Sequence, residues 1–199
     1  TSSVWRWEAE DDTRAIVKFE LLADLPDVPA NVDLKFDGCT ELGAANLRGT
    51  GFAARDAAVQ TLRARITGDL RAVEVNVTGL AGFLLAKTAA ARSRQKPKDW
   101  YDIAFVLQHN DGGGSRVAAE TVLAAFRDDL VGAVRTGLDE LRANFDFPTN
   151  QGPVAYASQM ILDHPDLSQE TLRADAVLSV QEFYSVLFPA GREPDGRRR

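Results

Sequence analysis

The sequence predicts an α+β protein, a mixed β-sheet with packed helices followed by a helical C-terminal part. Three observations carry this. Period-two alternation of apolar residues is confined to the first 78 residues, as in Val73, Val75 and Val77. From Leu80 onward the apolar residues recur at helical spacing as far as Leu187. The run His109-Asn-Asp-Gly-Gly-Gly-Ser115 interrupts that helical region and sets a soft boundary, so that residues 1–110 form a sheet-bearing core, 115–190 a helical region and 191–199 a charged, disordered tail.

Taken in order, Val4 to Trp7 alternates, Glu8 to Asp12 reads as an acidic bend, and Ile16 to Ala23 alternates again, which predicts a hairpin. Val17, Phe19, Leu21 and Ala23 would face the core, which puts Glu20 on the opposite face in mid-strand. Asp24 to Pro29 is a turn and Val32 to Phe36 a short strand. Asp37 to Gly51, with four glycines, reads as loop; its GTGFAA continuation has neither the spacing nor the lysine of a phosphate-cradling loop. Val59 to Ile66 and Val73 to Val77 are strands that finish the sheet.

After the turn Thr78-Gly79, Leu80, Phe83, Leu84 and Ala91 form one helical stripe with Lys87 in its middle. Lys87 is therefore directed at the core or a cleft. A second helix starts at Pro97, a residue suited to a first helical position, and its stripe of Ile103, Val106 and Leu107 runs back through Asp102 and Asp99. Spacing alone also fits plain packing, with Asp99 favouring the helix dipole and Asp102 pairing with Lys87 or Arg92. Val117 to Phe126, Leu130 to Phe145, Val154 to Leu162 and Ser168 to Leu187 are further helices, the last beginning at a capping serine.

Composition narrows the function classes. With 45% hydrophobic and 26% charged residues the chain reads as a soluble globular protein, and no apolar run has the length of a membrane helix. A net charge of -6 excludes broad nucleic-acid binding by bulk electrostatics, leaving a local cluster of Arg92, Arg94, Lys96 and Lys98. Cys39 is the only cysteine, which excludes an internal disulfide and fits a cytoplasmic setting. His109 and His164 are expected at surface loops, and neither has a partner at metal-ligand spacing. Trp5, Trp7, Trp100, Tyr101 and Phe105 are core or interface candidates.

The run GFLLAKTAAARSRQKPKDWYDIAFVL resembles the C-terminal half of the active site in AbiEii/AbiGii-type nucleotidyltransferases, the toxin components of bacterial toxin–antitoxin systems. The pattern there is a lysine, an arginine several residues on, a basic turn and then Lys/Arg-Asp-x-Tyr-Asp. Here it reads Lys87, Arg92 or Arg94, then Lys98-Asp99-Trp100-Tyr101-Asp102. The likeness extends more loosely from about Ile16 to about Leu187.

It implies a nucleotidyltransferase-like fold in which Lys87 contacts nucleotide phosphates, with Arg92, Arg94 and Lys98 nearby. Asp99 is the implied active-site acid, supported by Asp102 and Tyr101, and Glu20 the implied third metal-binding carboxylate. The implied cofactor is Mg2+ or Mn2+, with an NTP as substrate, an RNA (tRNA-like) or protein acceptor, and a cognate antitoxin as partner. The alternative is a non-catalytic module of the same fold that binds a nucleotide, RNA or antitoxin.

One part of the family pattern is missing, since the sequence contains no Asp-x-Asp, and Glu8-x-Glu10 is its nearest formal substitute. As the chain does not start with methionine, the expectation is that the missing strand and Gly-rich turn lie upstream of Thr1 and that these residues alone are catalytically incomplete.

Overall fold

The computed structural model describes residues 4–10, 14–66 and 68–189. The expected tail, 191–199, and the Asp11-Asp12 part of the expected bend lie outside them. The architecture is α+β, and the chain divides into two compact units, residues 1–51 and 52–199.

In the first unit, β1 (Arg6–Glu10) and β2 (Ile16–Glu20) form the expected antiparallel hairpin. Glu8 and Glu10 therefore sit in a strand rather than in a bend. The register pairs Arg6 with Glu20 and Glu8 with Lys18 on one face, while Trp7, Ala9, Val17 and Phe19 share the other. That second face is not the core: Val17 and Phe19 are 61% and 59% exposed, and Trp7 and Phe19 meet across the strands with ring centroids 5.8 Å apart. Alternation tells which residues share a face; it does not tell whether another layer covers it.

A small mixed sheet follows, with β5 (Cys39–Asn46) at its centre, parallel to β3 (Leu22–Ala23) and antiparallel to β4 (Asp33–Phe36). The stretch expected to be loop thus holds the central strand. Its Gly43-Ala44-Ala45-Asn46 end carries no β-favouring side chain, yet these four residues are buried. Asn46 is fully buried and explains why the neighbouring turn is ordered: its side chain accepts from the Leu25 amide at 2.8 Å and donates to the carbonyls of Val28 and Pro29 at 3.0 and 2.9 Å. Asp24 accepts from the amides of Gly49 and Gly51 at 2.8 and 3.2 Å, and the GTGFAA stretch turns there into a short helix, α1 (Gly51–Arg55), instead of continuing as loop.

The second unit opens with a long hairpin, β6 (Ala57–Ile66) against β7 (Asp69–Thr78). It forms a two-stranded sheet of its own, so among the described residues the strands are distributed over three small sheets. Among the described residues six α-helices follow: α2 (Leu80–Arg94), α3 (Pro97–His109), α4 (Ser115–Phe126), α5 (Gly132–Asn144), α6 (Gln151–Asp163) and α7 (Gln169–Leu187). The expected helix starts hold, with Pro97 opening α3 and the Ser168 side chain accepting from the Thr171 amide before α7. Gly113 and Gly114 lead into α4 with φ of +102°, a conformation a β-carbon would disfavour.

The core lies among these helices. Leu84, Trp100, Ile103, Leu107, Val122, Leu138, Phe145, Tyr156, Val180 and Phe183 belong to one continuous buried cluster. Outside it, Arg55 forms a two-pronged ion pair with Asp129 at 2.9 and 2.7 Å, and its guanidinium lies against Phe52 and Phe126. Among the described residues no helix is long and apolar enough to cross a membrane.

Candidate functional site

The site is built on α2 and α3. The amide that would be left open in the first turn of α2 is met from outside the helix, as Asp56 accepts from Gly82 N at 2.7 Å while its own carbonyl holds Gly79 N at 2.7 Å. Gly82 is needed for this approach, since a β-carbon there would lie 2.8 Å from both Asp56 Cβ and Thr78 Oγ1. No local pattern singles out Asp56, whose partners Gly79 and Gly82 lie more than 20 residues further along the chain.

The turn between the helices is short. Gln95 closes α2 in the left-handed conformation, φ 50°, with its amide on the Ala91 carbonyl at 2.8 Å, and Lys96 precedes Pro97 in extended backbone. Gln151 of α6 donates to the Gln95 carbonyl at 3.2 Å and ties this turn to the helical core. As a result α3 returns alongside α2.

Lys87 and the two acids meet as the stripes predict. Lys87 Nζ lies 2.6 Å from Asp102 Oδ2 and 3.3 Å from Asp99 Oδ1, with the Phe83 ring 5.9 Å away. The lysine side chain keeps 24% of its surface exposed, whereas the side chains of Asp99 and Asp102 keep 4% and 14%. Asp99 Oδ1 also accepts from Arg94 Nη2 at 2.7 Å; its other oxygen is buried without a partner. Lys98, one turn before Asp102, reaches that carboxylate at 2.9 and 3.1 Å.

The remaining expected residues fall elsewhere. Arg92 pairs with Glu140 of α5 at 3.0 Å, so it is Lys87 and Lys98, not Arg92, that hold Asp102. Tyr101 points along α3 towards α6, stacked on Tyr156 at 24° and 6.1 Å; burial first, and then the carboxylates of Asp163 and Asp102, hold its hydroxyl proton on more tightly than usual. Glu20 belongs to the first unit, where Arg6 engages it at 2.5 Å, whereas the lysine cluster belongs to the second.

His109 is the last residue of α3 rather than part of a loop, and it is exposed, with Nε2 3.2 Å from the Tyr156 hydroxyl. His164 caps the end of α6 through its amide, which donates to the Met160 carbonyl. Tyr156 itself is buried, donates to Gln108 Oε1 at 3.3 Å, and has its pKa raised to about 12, chiefly by burial.

The donor set decides what this cluster can hold. Two carboxylates face three cations, Lys87, Arg94 and Lys98, and no group of three or more His, Cys, Asp or Glu that could hold a metal occurs among the described residues. A magnesium or manganese ion needs carboxylate oxygens that are not already neutralised, so the cluster does not fit one. It suits an anion. Lys87 has three N–H donors, of which the acids take two.

A family model described as nucleotidyl transferase AbiEii toxin, Type IV TA system, matches residues 48–180, more than half of the chain. The matched stretch contains Lys87, Arg92, Arg94, Lys98, Asp99, Tyr101 and Asp102; Glu20 lies before it. Neither a curated protein nor a solved structure matches the chain.

Proposed function

The chain belongs to the AbiEii nucleotidyl transferase toxin family, and on that premise we propose that it is the toxin component of a toxin–antitoxin system, transferring NMP from an NTP to an RNA (tRNA-like) or protein acceptor. In such a transfer an acceptor hydroxyl oxygen bonds to the α-phosphorus, the bond from that phosphorus to pyrophosphate breaks, and the hydroxyl proton is released.

The observation that supports this best is the placement of Lys87. Two acids fix its ammonium group and leave one donor over, at a position with access to solvent. A cation held in this way stabilises negative charge on a nucleotide's phosphates without having to be ordered during the reaction. Asp99 and Asp102 act as the groups that orient it, and Lys98 adds a second ammonium beside it. Magnesium or manganese would have to come with the phosphates of the NTP, because both carboxylates of the cluster are engaged by its cations.

The experiment is to incubate the full-length gene product with α-labelled NTPs and with RNA or protein acceptors, in parallel with its Lys87→Ala variant. Wild type should label an acceptor and Lys87→Ala should not, while circular dichroism shows both folded. The lack of a carboxylate cluster among the described residues favours a second reading, a non-catalytic module that binds a nucleotide, RNA or antitoxin. Under that reading no acceptor is labelled by any NTP, yet Lys87→Ala weakens binding.

A further inference from the structure

We propose that the crevice between the start of α3 and the middle of α6 receives the base of a nucleotide whose phosphates lie at Lys87; the inference rests on the phosphate-contact role given to Lys87 above. The crevice measures about 400 Å³, within the ~300–1,000 Å³ typical of small-molecule sites. Lys98, Tyr101, Val154, Ser158, Gln159 and Leu162 line it.

Three features select the ligand class. The interior is apolar and partly aromatic, and Tyr101 is braced from behind by its stack on Tyr156, so a flat ring can lie against it without that side chain having to be ordered first. Gln159 and Ser158 offer an amide and a hydroxyl, which together supply donors and acceptors for the polar edge of a base.

The third feature is continuity with the lysine cluster. Lys98 lines the crevice and also grips Asp102, whose other oxygen is held by Lys87. A single carboxylate therefore bridges the crevice wall and the phosphate-binding lysine. A ligand that is flat and apolar with a polar edge at one end, and polyanionic at the other, matches that order of groups: a nucleoside triphosphate.

The test is calorimetry on the full chain, with magnesium present, using ATP, GTP, CTP and UTP and, as a base-free probe, inorganic tripolyphosphate. At least one NTP should bind about tenfold more tightly than tripolyphosphate, the scale of one base stacked on an aromatic ring. Ser158 is exposed, so Ser158→Trp fills the crevice from its rim; it should bring NTP affinity down to that of tripolyphosphate and leave tripolyphosphate binding unchanged. Should Ser158→Trp melt early, Ser158→Leu carries the same test. Wild-type NTP affinity in the folded variant, or equal binding of NTP and tripolyphosphate by wild type, overturns the crevice while the role of Lys87 stands. A wild-type chain that binds neither probe overturns both.

Discussion

Lys87 and Asp102 are joined by the shortest contact in the charged cluster, 2.6 Å, and the same carboxylate is held on its other oxygen by Lys98. Neither lysine is placed by packing alone. Under the proposed function, Asp102 would act on bound phosphate through the lysines rather than by touching it.

Asp102→Asn should accordingly lower turnover by about tenfold, the weight of one charge-assisted hydrogen bond lost from a positioned group. The melting temperature should shift little, because Lys87 keeps Asp99. Asp102→Glu should recover part of the loss. If Asp102→Asn changes only the melting temperature, with kcat intact, the acid is a plain ion-pair partner.

Asp99→Asn tests the buried end of the cluster. An asparagine oxygen can still accept from Arg94 and Lys87, but its NH2 then occupies the partnerless position, a buried donor without an acceptor, at a cost of about 1–3 kcal/mol. Chemical denaturation reads this cost. Transfer should be lost, while tripolyphosphate binding should hold or strengthen, because a negative charge beside Lys87 has gone. Unimpaired transfer by this variant would remove Asp99 from the active site.

Tyr156 gives the alkaline limb of stability a defined origin. Its folded pKa of about 12 exceeds the ordinary value of 10.0, so above pH 10 the unfolded chain gives up a proton that the folded chain retains. Stability is therefore complete below pH 10 and falls as the pH rises towards 12, by on the order of 2 kcal/mol. Tyr156→Phe should cost about 1 kcal/mol at pH 7 through the hydrogen bond to Gln108, yet show a flatter decline in alkali. Melting curves between pH 8 and 11 in steps of about one unit would show whether the two slopes differ.

Gly82→Ala adds one methyl group where Asp56 and Thr78 already approach. The start of α2 must then move away, weakening the Asp56 bond to the Gly82 amide, at a cost of about 1–3 kcal/mol. Urea titration measures it, and the displaced Lys87 should lower transfer as well. A variant as stable as wild type would mean that α2 can shift freely at this end.

What the sequence disclosed and what it hid follow from the range of the forces involved. The α2–α3 pair is legible because apolar spacing, Gly79 and Pro97 all act locally, and the same spacing puts Lys87 opposite Asp99 and Asp102. The partners of Arg92 and Arg94 are not legible, since either arginine could have turned to the acids; the packing of α5 against α2 gave Arg92 to Glu140. The central strand β5 was hidden because its Gly-Ala-Ala-Asn end owes its place to burial and to Asn46, not to propensity. The first hairpin was legible as a hairpin and β6 and β7 as strands, but not that these two pair only with each other; the apolar faces are open, with Leu62 and Val73, opposite one another, 53% and 57% exposed.

The turn at Gln95 and Lys96 bears on how the protein acquires its charged cluster in time. The contacts from Lys87 to Asp99 and Asp102 span 12 and 15 residues, and that from Arg94 to Asp99 spans five. Closing such short segments costs little chain entropy and is fast. The cluster's contacts thus need the closure of only one helical hairpin, and no strand pairing, to bring the lysine to its acids.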